Sequence, residues 1–251
     1  MSKPLLVLQL RPEDETSDRE FEAILQYGGL SEGEVVRKRI ETTGIPNDID
    51  LEDYAAIIVG GSPFDISTPA ADKAPIQVKI EADFERLLDE VVGRDFPFLG
   101  ACSGNGLLGA HLGTPISRRY GESVGCVVLE ITEAGRRDPL LAGFPDRIPV
   151  LLGHKEACDR VPDGATLLMT GAACPVQMFR IGQNVYATQF HPEGDAEGFA
   201  TRIRVYKHHG YFPAHEADAL TEAVNAAQTP HAQEILRRFV RRYRDRSATP
   251  D

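Results

Sequence analysis

Blocks of apolar residues punctuate this chain, with polar, periodic stretches between them. Leu5-Leu6-Val7-Leu8-Gln9-Leu10, Ala56-Ile57-Ile58-Val59 and Phe96-Pro97-Phe98-Leu99 are short, nearly unbroken apolar runs. Unbroken rather than alternating hydrophobicity is what a strand covered on both faces requires. The pattern predicts strands over 5–10, 55–60, 96–100, 124–131, 148–153, 165–169, 174–181 and 184–190. Helical spacing fills several of the gaps. Residues 16–28 are opened by Thr16 or Ser17, with Glu20 placed for a capping box. Residues 75–93 carry Ile76, Ile80, Phe84, Leu87, Leu88 and Val91 on one face, start at Pro75 and stop at Gly93. A further helix follows Cys102, turns Leu107, Leu108 and Leu112 inward and ends near Gly113. Such alternation argues for a parallel sheet with helices on both faces, and for loops gathered at the strands' C-terminal edge.

From residue 196 the pattern becomes helical and charged. Helices are expected over 196–209, 215–227 and 230–244, broken at Tyr211-Phe212-Pro213 and Thr229-Pro230. No independent core pattern is visible there. Residues 1–251 therefore read as a single domain, with 196–246 as a helical extension beside the site that could support a lid or a dimer contact; homo-oligomerisation stays open. Ser247 to Asp251 read as a disordered tail.

Composition narrows the class. With 251 residues and 42% hydrophobic content, the chain can bury a substantial core. No stretch is long enough to span a membrane, and the first apolar run is too soon interrupted to be a signal peptide. The four cysteines (Cys102, Cys126, Cys158 and Cys174) have no paired spacing. Neither a disulfide framework nor a zinc site is indicated, and reduced thiols suit the cytoplasm. A net charge of −11 argues against nucleic-acid binding. The basic cluster Arg237, Arg238, Arg241, Arg242, Arg244 and Arg246 has the spacing of a solvated or salt-bridged helix face.

Two segments carry chemistry. Gly100-Ala101-Cys102-Ser103-Gly104 sits directly behind an apolar strand. A nucleophile at a sharp strand-to-helix turn, with small residues on either side, follows the logic of the nucleophile elbow, here with cysteine. The helix that follows would aim its amides at the sulfur and favour thiolate. An inert buried thiol is the competing reading. The second segment is His191-Pro192-Glu193, at the end of the predicted strand 184–190. Proline keeps the preceding residue extended, so His191 and Glu193 project to the same side. A base and a carboxylate able to fix its tautomer result.

Together these segments resemble the class I (triad-type) glutamine amidotransferases. The resemblance extends over most of the chain. Gly60-Gly61-Ser62-Pro63, Gly153-His154-Lys155-Glu156, the run from Cys174 to Arg180, and Gln189-Phe190-His191-Pro192-Glu193 fit a free-standing branch resembling the amidotransferase half of GMP synthase. The resemblance implies an α/β fold with a mostly parallel central sheet in flavodoxin-like layers. It further implies Cys102 as nucleophile, His191 and Glu193 as its partners, and oxyanion-hole amides at Gly61 and Ser103. Gly60, Ser62, Gly106, His154 and Pro175 become candidate substrate contacts. No metal or organic cofactor is implied.

The expected reaction cleaves the γ-amide of glutamine or a γ-glutamyl compound through a thioester. One departure bears on the substrate. The family's Gly-x-Cys-x-Gly-x-Gln pattern ends here in Gly106, which supports the hydrolytic machinery better than it supports free glutamine. If ammonia is the useful product, a synthase partner must accept it, because no Gly-x-x-x-x-Gly-Lys-Ser/Thr loop is present. Two alternatives remain. One is a non-catalytic binding or regulatory relative. The other is an NAD-dependent oxidoreductase, suggested by the GxGxxG run Gly104-Asn105-Gly106-Leu107-Leu108-Gly109.

Overall fold

A computed structural model describes residues 3–244. The tail 247–251 and Arg246 lie outside the described residues. Strand β1 (Leu5–Gln9) is wholly buried, as its unbroken apolar run demands. It pairs in parallel with β2 (Val35–Arg39) on one side and β3 (Ala56–Val59) on the other. β3 pairs with β4 (Phe98–Ala101). Later along the chain come the long antiparallel hairpin of β6 (Glu122–Ile131) and β7 (Arg147–His154), then β9 (Thr166–Thr170), β10 (Met178–Ile181) and β11 (Val185–Thr188). The short pair β5 (Ile116–Ser117) and β8 (Ala157–Cys158) stands apart.

The main sheet has nine strands in the order β2-β1-β3-β4-β11-β10-β9-β6-β7. From β2 to β11 it is parallel throughout; from β11 to β7 it is antiparallel. The α/β architecture implied by the sequence is therefore present, and the parallel half is the part that carries the candidate site. β2 was not expected: Val35-Val36-Arg37-Lys38-Arg39 is half-buried at the sheet's edge, where a charged run leaves no apolar signature.

Alternation along β1 splits the core between two faces. Leu5 and Val7 join Ile24 of α1 (Asp14–Gly28) and Ile235 and Phe239 of α7 (Pro230–Arg244). Leu6 and Leu8 join Ile80 and Phe84 of α2 (Pro75–Gly93) and Leu108 of α3 (Ser103–His111). Helix α4 (Glu133–Arg137) is short and lies against β9.

In the extension, α5 (Ala196–Val205) and α6 (Ala217–Asn225) cover β6 through Phe199, Ile203, Phe212, Val224 and Val124. Of the α7 arginines, Arg238 pairs with Glu234 at 3.3 Å, and Arg244 with Glu34 at 3.5 Å. Among the described residues no helix is long and apolar enough to cross a membrane.

The start of α1 differs from expectation. Its N-cap is Glu13, which makes no side-chain cap, while Thr16 and Ser17 lie buried inside the helix. Glu20 forms no capping box. It is buried against Arg11, with Nε to Oε2 at 2.6 Å. A carboxylate withdrawn from water needs a charged partner more than a helix end needs a cap.

Candidate active site

Cys102 occupies the hinge between β4 and α3 with φ +52° and ψ −94°, a conformation costly for any residue with a Cβ. The turn is tight: a Cβ on Gly100 would come within 2.8 Å of the Gly104 backbone. Two backbone bonds fix the hinge. Cys102 N–H donates to Thr188 O on the neighbouring β11 (2.8 Å), and Cys102 O accepts from Asn105 N–H (3.0 Å). The Ser103 and Gly104 amides, the first of α3, have no hydrogen-bond partner among the described residues. They are free to hold negative charge beside the sulfur.

β11 delivers the second segment. His191 N–H donates to Leu151 O (3.0 Å), tying the loop to β7. The ring's Nδ1 lies 2.6 Å from Glu193 Oε1, which leaves Nε2 for proton transfer. Phe199 packs edge-on against the imidazole, with 5.5 Å between centroids. Behind this pair lies a buried charge cluster. Arg202 Nη2 donates to the same Glu193 Oε1 (3.0 Å) and to Glu20 Oε2 (3.3 Å), which also accepts from Arg11. Two guanidinium groups thus balance two carboxylates out of water, a pairing that offsets the cost of desolvating each charge.

The thiol departs from the sequence expectation. Burial pushes it up to about 11, against the pull of Arg11 and Arg202. Desolvation outweighs the two guanidinium charges, so at neutral pH the resting sulfur is a thiol. Burial likewise lowers His191, although Glu193 pulls it upward. Glu193 is held well below the usual carboxylate range by the imidazole and by Arg202, despite its burial. The resting pair is therefore neutral thiol and neutral imidazole, with an ionised carboxylate behind them.

Two clefts flank Cys102, and Ser62 and Tyr211 line both. The first also contains His191, Arg11, Arg202, Phe199, Tyr206 and Phe212. The second contains Ser103, Gly106, His154, Lys155, Glu156 and Gln189. Cys102 and His191 therefore share a cleft. Tyr211 stands between the two, its hydroxyl donating to Ser62 O (3.3 Å) and its ring 4.8 Å from Lys155 Nζ.

Of the expected contact residues, Ser62, Gly106 and His154 line the clefts, whereas Gly60, Gly61 and Pro175 do not. The Gly61 amide donates to Glu20 Oε2 at 3.3 Å, so this N–H is engaged away from the sulfur; the Ser62 amide has no partner among the described residues. Gly60 lines neither cleft. A Cβ there would collide with the Glu20 carboxylate, and its carbonyl accepts from the Ser103 hydroxyl (2.9 Å). Pro175 also lies outside both clefts; in that segment Gln177 is anchored instead, its Nε2 2.5 Å from Glu122 Oε2. His154 reaches the second cleft with both ring nitrogens engaged, by Glu156 O and Glu122 Oε2 at 3.0 Å each. Gly106 does line the second cleft, and Ile66 occupies the place of a side chain there: its Cδ1 would lie 2.8 Å from an added Cβ.

Gly104, Gly106 and Gly109 all lie within α3, not at a strand-to-helix turn. A Cβ on Gly109 would collide with Cys158 Sγ and one on Gly106 would meet Ile66, and the run does not sit at the strand-end turn that the dinucleotide fingerprint needs. Two buried groups have ligand-like donors within 4.8 Å of one another: Glu20, His191 and Glu193, and Glu122, His154 and Cys174. In the first, two guanidinium groups already neutralise the carboxylates. In the second, burial pushes the Cys174 thiol up to about 12.

Arg11, Glu20, Arg202, Tyr206, Tyr211 and Phe212 escaped the sequence reading. Arg11 had a usable signal, a charge immediately beyond a buried strand. Arg202 and the 206–212 segment had none, because helical spacing in a charged stretch does not say which charge turns inward.

A strained cysteine at a strand end, sharing a cleft with a histidine–carboxylate pair, is the arrangement that cysteine-dependent acyl transfer requires. Residues 21–206 match the family model described as "Glutamine amidotransferase class-I". That span is well over half of the chain, so the protein belongs to the class I glutamine amidotransferases, a family of cysteine-dependent amide cleavage.

Similarity to the glutamine-hydrolysing GMP synthase of Streptomyces avermitilis is 28% identity over 174 residues, covering 67% of this chain but only 30% of that protein. With one subunit of the glutamine-hydrolysing GMP synthase of Methanoregula boonei it is 29% over 159 residues, 61% of this chain and 76% of the relative. The crystal structure of a Thermotoga maritima glutamine amidotransferase superposes with a TM-score of 0.72 at 23% identity, over 98% of this chain and 99% of its own. At that identity the likeness concerns the fold.

Proposed function

We propose that the protein hydrolyses the γ-amide of glutamine or a γ-glutamyl compound through Cys102, His191 and Glu193. The observation that carries this reading is the 2.6 Å His191–Glu193 bond in a cleft that also holds the elbow cysteine. Because the resting thiol is protonated, attack is coupled to proton transfer: His191 Nε2 takes the proton as Sγ bonds to the amide carbon. The oxyanion is met by the unpartnered amides of Ser103 and Gly104, with Ser62 in place of Gly61. Such donors contribute about 3 kcal/mol each in comparable sites. His191 then returns the proton to the departing nitrogen as the C–N bond breaks, leaving a γ-glutamyl thioester. Water, deprotonated by the same ring, cleaves the thioester and restores the thiol.

An ammonia-accepting synthase partner is the alternative destination of the nitrogen, favoured by relatives named as single subunits of a GMP synthase. The test is turnover of glutamine and γ-glutamyl amides together with mass-spectrometric trapping of the acyl group on Cys102. Turnover that survives Cys102→Ala would refute the reading.

A further inference from the structure

The two clefts divide the reaction between them. His191, which must protonate the departing nitrogen, lines only the first; Ser103, whose amide would hold the oxyanion, lines only the second. The glutamyl chain therefore belongs on the Ser103 side and the departing amine on the His191 side.

The walls of the first cleft are chemically unlike those of the second. Arg11 and Arg202 line it, each more than nine-tenths buried. Their counter-charges, Glu20 and Glu193, lie behind them and do not reach its surface. Arg202 Nη1 is buried with no hydrogen-bond partner, an unusual state for a charged donor. The remaining wall is apolar and aromatic, from Phe199, Tyr206, Tyr211 and Phe212. Ammonia leaving such a site offers neither an anion to the guanidinium groups nor an apolar body to the aromatic wall. A carboxylate suits the planar donor fork.

Tyr211 and Phe212 also fall beyond residue 206, where the family match ends, and Arg11 falls before its start at 21. Three of the eleven residues lining this cleft thus lie outside the family match, and the rest lie within it. Its roof is pinned through Tyr211, whose hydroxyl donates one 3.3 Å bond to Ser62 O.

Resting on the hydrolytic reading of Cys102, we propose that the first cleft is a leaving-amine subsite and that the amine carries a carboxylate beside an apolar body. The preferred substrate is then a γ-glutamyl amino acid with an apolar side chain, not free glutamine. Cleavage forms the Cys102 thioester and releases the amino acid with a proton from His191; water completes the cycle.

The test compares kcat/KM for γ-glutamylphenylalanine, γ-glutamylphenylalanine amide and glutamine. The acid should exceed both others by about 10-fold or more, as expected for one charge-assisted contact. Arg11→Met should collapse the preference of acid over amide, and Phe212→Ala should weaken both phenylalanine substrates while sparing their ratio. Equal or better use of glutamine, or an acid-to-amide ratio near one, overturns the inference and leaves the hydrolase standing. The same holds if none of the three is cleaved while a glutamine-like electrophile still labels Cys102. Absence of both cleavage and labelling overturns the hydrolytic reading, and the subsite with it.

Discussion

The rim of the parallel sheet and the roof of the C-terminal extension meet at Cys102, and they hold their groups by different means. On the rim, backbone bonds set positions: Cys102 N–H to Thr188 O, and His191 N–H to Leu151 O. The roof is positioned by side chains, with Tyr211 on Ser62 and Tyr206 bonded to Arg11, Thr16 and Glu13. Ladder bonds of a buried sheet open only with the whole fold, whereas a single side-chain contact contributes about 1 kcal/mol. Rim substitutions should therefore remove rate, and roof substitutions should alter which substrate is held.

The sharpest test is Cys102→Ala. Hydrolysis should fall by roughly 10⁴-fold or more, with the melting temperature barely changed, as measured by product release and calorimetry. His191→Ala should cost on the order of 10³ in kcat with a smaller change in KM; a loss confined to KM would move His191 from rim behaviour to roof behaviour.

Third in size is a pH effect. The thiol is raised to about 11, so alkylation of the resting enzyme by iodoacetamide should climb about 100-fold between pH 7 and pH 9, following the thiolate fraction. A plateau just above neutrality would show the sulfur already ionised and the burial argument wrong. The sign for stability follows from the same shift. The fold prefers the protonated thiol, so stability is retained below the unfolded thiol's value of ~8.5 and declines as pH rises towards 11. Smallest is Tyr211→Phe, which removes one hydrogen bond: KM should change by less than about tenfold and kcat hardly at all.

Legibility in the sequence follows the same division. The elbow and the His-Pro-Glu turn depend on local backbone constraints, which glycine and proline announce, and so they stood out. The parallel strands announced themselves through unbroken apolar runs; β2 did not, because an edge strand with Arg37, Lys38 and Arg39 lacks that run. Glu20 was misassigned for an instructive reason. Its position three residues after Ser17 fits a cap, and only the tertiary approach of Arg11 shows where the carboxylate goes. The Gly61 amide is engaged by the same carboxylate. Long-range charge pairing has no sequence period, so this cluster could not be read from spacing.

One consequence of the bond from Cys102 to Thr188 concerns heat. Sulfur and imidazole are spaced by a rung of the sheet interior and not by a flexible surface loop. Warming that frees the outer helices should change substrate choice first and leave thiol chemistry intact until the strands part. Loss of acyl-enzyme formation should then coincide with the main calorimetric transition, while selectivity drifts at lower temperatures.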